Sequence, residues 1–334
     1  MGAVTTPRRP LTTADLAPLA RAALGRSRAL TGVERLRGGT KKGVYRLTLD
    51  DDSTAVAYVW SADEDYWDQP DPDPRDVFSH GTGLGLFTAA HDRLTAAGVR
   101  TPRLRYADST HTHLPADAAV VEDLTGGSLE DALTRDPEHA PRAMERTAEL
   151  VATLHSHTGP RFGKVAVVDQ GGSSYGVSCE QRVTEGALRA VAEAAARDPR
   201  AAAARRELEA EIHTLAAEVR PRDSHTLVHG ELGADHILLT PDGHPALIDI
   251  EGLMYFDAEH EHVFLRLRFG PHYDALRAPG LDEARLRLYR LAMHIGLVSG
   301  PLTLIEGDFP HPERMREIAE HNLHQALSLL KSAS

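Results

Sequence analysis

The stretch from residue 227 to 251 carries several side chains that can do acid–base or metal chemistry. They are His229, Glu231, His236, Asp249 and Glu251. Two short apolar runs, 237–239 and 246–248, flank a Pro-Asp-Gly turn, and this pattern predicts a β-hairpin that gathers Glu231, His236 and Asp249 at one edge. Carboxylates beside an imidazole can hold a divalent cation and orient a hydroxyl group for attack. The stretch therefore predicts a metal-assisted site that acts on a hydroxyl.

The order and spacing of these residues resemble the catalytic hairpin of the aminoglycoside phosphotransferase and choline kinase group, relatives of the protein kinases. The family pattern is His-Gly-Asp, four residues, Asn, and then Ile-Asp-Trp/Phe-Glu/Gly. The matching residues are His229-Gly230-Glu231, His236 and Ile248-Asp249-Ile250-Glu251. Two identities differ, because Glu231 replaces the catalytic aspartate and His236 replaces the metal-binding asparagine. The resemblance implies an α+β, two-lobed protein-kinase-like fold that uses ATP and Mg²⁺.

The resemblance also implies roles for individual residues. Glu231 would accept the proton of the acceptor hydroxyl or orient that hydroxyl, although its extra methylene must fold back to keep a reach of about 3 Å. His229 would brace the catalytic loop through a backbone hydrogen bond. Asp249 would bind Mg²⁺, for which an ionised carboxylate is a natural ligand. Glu251 would contact the substrate, or the metal through water.

His236 leaves several interpretations open, because imidazole suits magnesium poorly. It can bind one metal weakly, contact a phosphate when protonated, or leave a site for a single metal. It can also be a packed, hydrogen-bonded histidine with no role in chemistry.

A glycine-containing hairpin near the N-terminus resembles the nucleotide-covering loop of the same family. Gly38-Gly39-Thr40 precedes Val44-Tyr45-Arg46, close to the family form GG(S/T)N-x-VYR. The resemblance assigns Gly38, Gly39 and Thr40 to the nucleotide. No Gly-Lys-Ser/Thr sequence occurs, so this is not a Walker A loop.

The family's phosphate-binding lysine is missing from the strand that follows the loop. Aligning 56–59 with the family's Val-Ala-Ile-Lys places Val59 in the lysine position. Lys41 and Lys42 are the only lysines among the first 160 residues. We predict that one of them reaches the phosphates from the loop, with Arg46 as a weaker option; a solvated pair of lysines in a turn is the alternative.

Two further segments match the family's binding regions. Residues 118–124 resemble the hinge between the lobes, where the adenine would pair with the backbone near Glu122 and Leu124. The residues after the metal-binding strand correspond to part of the family's acceptor pocket. There Asp257 and Glu261 would suit an ammonium-bearing substrate, or would simply favour the start of a helix.

Composition limits the partners and the compartment. The 334 residues carry 37 basic and 49 acidic side chains, a net charge of −12, which argues against nucleic acid and anionic membranes and suits a cationic small molecule. Cys179 is the only cysteine, so no intrachain disulfide can form and a reducing, cytoplasmic location is expected. Histidine pairs spaced i,i+2 and a single cysteine make a structural zinc site unexpected. The oligomeric state is not predicted.

The remaining pattern predicts how the chain is organised. A small sheet-rich lobe over residues 1–124 is followed by a larger helical lobe over 125–334. Helices are expected over 78–97 and 281–298, and a break at Asp198-Pro199 divides 180–219 into two helices. The acidic segment 61–77 is predicted to be a loop, either solvated or a mobile acidic lip for a basic substrate. Two functions follow: an ATP-dependent small-molecule phosphotransferase, or a protein of this fold that binds a nucleotide or metabolite without transferring phosphate.

Overall fold

The computed structural model describes residues 8–36, 39–67, 72–136, 138 and 140–333. A small lobe built on an antiparallel sheet is followed by a larger, mainly helical region. This α+β, two-lobed architecture confirms the predicted fold class. The predicted boundary near residue 124 falls between the last strand of the sheet and the first helix of the larger lobe.

The small lobe is a five-stranded sheet with strand order β1-β2-β3-β5-β4, in which every neighbouring pair is antiparallel. A helix covers each of its faces: α1, which carries a capping box between Thr12 and Asp15, and α2. The elements are α1 (Thr13–Leu24), β1 (Leu30–Arg35), β2 (Gly43–Leu49), β3 (Thr54–Trp60), α2 (Leu84–Ala96), β4 (Leu104–Asp108) and β5 (Asp117–Glu122).

Neighbouring side chains of β3 lie on opposite faces of the sheet, and this corrects the predicted match of Val59 to the family's lysine. Val59 packs with Leu16 and Leu19 of α1, on the far side of the sheet from the predicted site. Tyr58 and Trp60 pack with α2 on the opposite face. Because side chains alternate along a strand, the alignment that placed Val59 in the lysine position is off by one residue. Tyr58 occupies the site-facing position.

The larger lobe surrounds a four-stranded sheet, β6-β8-β11-β7, and the predicted two-stranded hairpin, β9-β10. Its strands are β6 (Thr158–Gly159), β7 (Gly163–Lys164), β8 (His225–Val228), β9 (Ile237–Leu239), β10 (Pro245–Leu247) and β11 (Met254–Phe256). Its helices are α3 (Leu129–Arg135), α4 (Ala140–Ser156), α5 (Val165–Val168), α6 (Cys179–Arg197), α7 (Pro199–Glu218), α8 (Ala258–Phe269), α9 (Glu283–Glu306) and α10 (Pro312–Ala333).

Helix α9 is a core element of the larger lobe. By length and composition alone it could cross a membrane, but half of its most apolar window is buried inside the protein. It packs against α6 and α10, and Leu288, Leu291 and Ile295 lie in the hydrophobic core. Its apolar character is therefore accounted for by packing within the fold.

Some boundaries differ from the sequence prediction. Helix α2 begins at Leu84, six residues later than expected, after Gly83, whose φ of 108° is incompatible with a helix. The segment predicted to be a solvated loop or mobile lip is partly fixed in place. Within it Glu64 is buried against Arg35, and Asp65 contacts His80 at 3.0 Å.

Candidate functional site

Asp249 lies where the two lobes meet. It ends the β10 side of the hairpin with φ 57° and ψ 48°, a left-handed backbone that is uncommon for a residue other than glycine. Its side chain stays about one-third exposed. One oxygen, Oδ1, accepts a hydrogen bond from Lys42 of the small lobe at 2.7 Å. The residue predicted to bind metal thus lies at the junction of the lobes and is partly open to solvent.

Lys42 is buried and reaches the site from the loop before β2. Its ammonium also donates to Glu251 Oε1 at 2.6 Å and lies 5.3 Å from the centre of the Tyr58 ring. Burial alone would lower the pKa of Lys42, but Asp249 and Glu251 outweigh burial and raise that pKa. Lys42 therefore stays charged. It supplies the cation that β3 lacks, because β3 carries Tyr58 and not a lysine at the site-facing position.

Glu251 is too deeply buried to contact a substrate, which corrects that part of the sequence prediction, whereas its contact to a metal through water stays a prediction. It is only 3% exposed, and Oε1 accepts from both Lys42 and the indole N–H of Trp60, the latter at 3.3 Å. Helix α2 has no glutamate to pair with a lysine. Glu251 supplies that partner from the other lobe, so its role is to position Lys42.

Glu231 and His229 occupy the catalytic loop after β8. The Glu231 carboxylate is more than half exposed, and the ammonium of Lys41, 3.8 Å away, lowers the pKa of that carboxyl. His229 is buried, and its Nε2–H donates to the Ile248 carbonyl at 2.9 Å. Burial lowers the pKa of His229 to about 4, so the ring is neutral near pH 7. His229 braces the loop, and Glu231 is the residue free to meet an acceptor.

His236 faces the second oxygen of Asp249. Its Nε2 lies 3.8 Å from Asp249 Oδ2, and its Nδ1 lies 2.8 Å from the Glu231 carbonyl oxygen. Asp249 and His236 are therefore close to each other, and a metal ion bound by both stays a prediction. The carboxylate fits a divalent cation of any kind, whereas the imidazole nitrogen is a poor match for Mg²⁺ in particular.

Glu261 cannot contact a substrate, because it is fully buried. Its carboxylate accepts hydrogen bonds from the backbone N–H groups of His229, Gly230 (3.1 Å) and Leu232 (3.3 Å). Burial raises the pKa of Glu261 to about 7, against the opposing effect of these three donors. Glu261 therefore holds the catalytic loop from beneath.

Asp257 is likewise buried and cannot bind substrate. Its Oδ2 accepts from Arg285 at 2.6 Å and from Tyr289 at 2.5 Å, both on α9. Next to it, Cys179 contacts the His225 ring nitrogen at 3.4 Å. This buried polar network joins α6, β8 and α9. No local sequence pattern indicates this network, because its members are far apart along the chain.

The predicted nucleotide loop is described in part. Gly38 lies outside the described residues. Gly39 has φ 76°, and a Cβ there would lie 2.7 Å from the Lys42 carbonyl oxygen, so the turn that delivers Lys42 requires glycine. The Thr40 hydroxyl accepts from the Trp67 indole N–H at 3.0 Å. The loop is thus fixed at its end nearest Lys42.

The predicted hinge residues Glu122 and Leu124 differ in which of their hydrogen-bonding groups are available to a nucleotide. The Glu122 carboxylate binds Arg100 and Arg103, and its N–H donates to the Arg103 carbonyl, so neither group is available to a nucleotide. Leu124 is buried, and within the described part of the chain its N–H has no backbone partner. Arg46 binds Asp123 at 2.7 Å, which removes it as an alternative phosphate ligand.

Lys164 is a basic residue near the site that no sequence pattern indicated. It is 2% exposed, and its ammonium donates to the Ser79 carbonyl and hydroxyl oxygens, both at 2.7 Å. Burial, followed by the charge of Lys41, lowers the pKa of Lys164 to about 8. No motif surrounds it, and its place on the two-residue strand β7 gives no local signal.

A sheet lobe and a helical lobe, with Lys42, Glu231 and Asp249 at their junction, define a kinase-like small-molecule phosphotransferase. Residues 32–294 match the model of the phosphotransferase enzyme family, and the chain belongs to that family. This confirms the resemblance and the class of enzyme predicted from the sequence. No curated protein sequence matches the chain.

Solved structures of low sequence identity share the fold over nearly their whole length. A thermostable mutant of aminoglycoside phosphotransferase APH(4)-Ia is 15% identical with a TM-score of 0.62, covering 92% of this chain and 96% of that one. Spectinomycin phosphotransferase APH(9)-Ia, in complex with ADP and spectinomycin, is 12% identical with a TM-score of 0.62 (96% and 99%). Choline kinase LicA from Streptococcus pneumoniae is 12% identical with a TM-score of 0.59 (95% and 99%).

Proposed function

We propose that the protein transfers the γ-phosphate of ATP to a hydroxyl group of a small, cationic natural product of the antibiotic type. The observation that carries this proposal is the meeting of Lys42, Asp249 and Glu231 at the lobe junction, with Glu231 exposed. The nucleotide complexes of similar structures support ATP as the donor. The net charge of −12 and the exposed carboxylate favour a cationic acceptor.

Each residue has a distinct part in the proposed reaction. Lys42, held by Glu251, binds phosphate oxygens of the nucleotide, and Leu124 offers its N–H to the adenine. Glu231 takes the proton of the acceptor hydroxyl as its oxygen bonds to the γ-phosphorus and the bond to the β–γ bridging oxygen breaks, releasing ADP. Asp249 and His236 would hold a divalent cation, Mg²⁺ being the family expectation, which supplies neutralisation of phosphate charge.

The proposal extends to the setting of the reaction. A single cysteine that is buried and unpaired, together with the use of ATP, favours the cytoplasm. Neither nucleic acid nor a membrane is a proposed partner, because the acidic chain would be repelled by both. Resistance to an antibiotic would be the biological result if the acceptor is a drug.

The deciding experiment is ATP turnover against a panel of aminoglycosides, spectinomycin, peptide antibiotics, macrolides and nucleosides. Wild-type protein should release ADP and form a phosphorylated product with at least one compound, and Asp249→Ala should not. Failure of every acceptor, with no binding of ATP, would end the enzyme proposal. A thermal shift that responds to ATP equally with and without a divalent cation would instead favour the second candidate, binding without transfer.

A further inference from the structure

The family's metal-binding asparagine is replaced by His236, and the surroundings of this ring show how it is oriented. A carbonyl oxygen can only accept a hydrogen bond, so the Nδ1 that lies 2.8 Å from the Glu231 carbonyl must carry a proton. In the neutral ring the lone pair then lies on Nε2. The ring also stacks on His229, with centroids 5.9 Å apart and planes 30° from parallel. The direction of Nε2 is thus fixed by two independent contacts.

The Nε2 atom of His236 lies beside the second carboxylate oxygen of Asp249. The distance of 3.8 Å between Nε2 and Asp249 Oδ2 is too long for a hydrogen bond. A metal ion about 2.1 Å from each atom can bridge that separation. Ligating histidines usually donate their other ring N–H to a backbone carbonyl or carboxylate, and His236 does this to Glu231.

The neighbouring basic side chains bind several of the carboxylate oxygens that could otherwise be ligands of the ion. Lys42 holds Asp249 Oδ1 at 2.7 Å. Asp235, whose Oδ2 is 3.9 Å from Nε2, has both oxygens bound by Arg268 at 2.5 Å. Among the described residues, His236 Nε2 therefore lies beside Asp249 Oδ2, a carboxylate oxygen that neither Lys42 nor Arg268 binds. Mg²⁺ demands oxygen ligands, whereas first-row transition metals accept imidazole more readily.

We propose that His236 and Asp249 form a nitrogen–oxygen site that binds a transition metal ion such as Co²⁺ in preference to Mg²⁺. The proposal rests on the proposed function only for its location, the metal position beside the nucleotide. His236 is the residue that determines the metal preference. Replacing it by the family's asparagine returns an oxygen ligand and so weakens the preference for the transition metal over Mg²⁺.

The test measures metal binding, without turnover, on the full chain with a non-hydrolysable ATP analogue. Dissociation constants of Co²⁺ and Mg²⁺ are obtained by equilibrium dialysis for wild type, His236→Asn and His244→Asn. His244 lies in the same hairpin and is more than half exposed, so its substitution is the matched control. Competition against Mn²⁺ followed by electron paramagnetic resonance gives an independent readout.

The ratio of the Mg²⁺ to the Co²⁺ dissociation constant should fall about tenfold or more in His236→Asn and stay unchanged in His244→Asn. Equal ratios in wild type and His236→Asn would overturn the proposal, even if the protein transfers phosphate with Mg²⁺. A shifted ratio in a protein that phosphorylates nothing would support the metal site and reject the function. Unchanged thermal unfolding of His236→Asn excludes misfolding as the cause of a shift.

Discussion

Two neighbouring lysines, Lys41 and Lys42, have different environments and should behave differently when replaced. Lys42 is buried between Asp249 and Glu251, and its removal leaves the Glu251 charge in the interior with Trp60 as its one remaining side-chain partner among the described residues. The Lys41 side chain is 21% exposed and lies 3.8 Å from the carboxylate of Glu231, which is more than half exposed. Breaking a buried ion pair costs far more than losing a surface pair.

We therefore expect Lys42→Met to lower the free energy of unfolding by about 3 kcal/mol and Lys41→Met by less than about 1 kcal/mol. Lys42→Met should also weaken nucleotide binding at least about tenfold, because its ammonium is the proposed phosphate ligand. Urea unfolding and calorimetric titration with ATP measure the two effects. Equal losses in the two variants would contradict the different roles assigned to these lysines.

The pH dependence of turnover gives a second prediction for single residues. Lys41 lowers the pKa of the Glu231 carboxyl, and Glu231 is proposed to act as a carboxylate, so kcat/KM is lost as the pH falls through that pKa. Lys41→Met removes the lowering effect, the pKa rises, and the acidic limb of the profile should move to higher pH. Lys41→Arg keeps the charge and is the control. Coincident acidic limbs for wild type and Lys41→Met would contradict the assignment.

At the scale of elements, a lysine on β3 can reach the nucleotide only from the face of the strand that carries Tyr58. Tyr58 faces Lys42 and Val59 faces α1. In a Lys42→Met background, Tyr58→Lys should recover part of the lost nucleotide affinity, since its amine can reach the site from the strand. Val59→Lys in the same background should recover none and should destabilise the lobe, because it buries a charge against α1. Calorimetric titration with ATP separates the two; recovery by Val59→Lys would show that the register is wrong.

Helix α8 supports the catalytic loop through Glu261, and this contact is also testable. Glu261→Ala leaves three buried N–H groups without an acceptor, each costing about 1 kcal/mol or more. We expect a loss of about 3 kcal/mol in the free energy of unfolding and a strong fall in kcat, although Glu261 touches no substrate. Glu211→Ala, on the helix α7, is a control for loss of a glutamate outside the site. Full activity of Glu261→Ala would contradict the supporting role.

The local sequence pattern was sufficient to predict some elements of the structure but not others. The hairpin that carries Asp249 was predictable, because a turn between two apolar runs is encoded in consecutive residues. The break between α6 and α7 at Asp198-Pro199 was predictable for the same reason. The burial of Asp257 and Glu261 was not, since it depends on Arg285 of a distant helix and on the backbone of another loop. An error of one residue in the alignment of β3 likewise assigned Val59 to the wrong face of the sheet.

At the scale of the whole molecule, the two lobes share one polar junction. Lys42 belongs to the small lobe, while Asp249 and Glu251 belong to the large one. A nucleotide phosphate entering this junction would have to share Lys42 with both carboxylates. A cation bound at Asp249 would offset the charge that Lys42 then leaves behind. Nucleotide and cation are therefore expected to bind cooperatively.

The most direct measurement is a calorimetric titration of the whole chain with a non-hydrolysable ATP analogue, with and without Mg²⁺ or Co²⁺. Wild type should bind the analogue at least about tenfold more tightly with a cation, and Asp249→Asn should lose that gain. Identical nucleotide affinity in wild type and Asp249→Asn, with or without a cation, would contradict a metal–nucleotide site at the lobe junction.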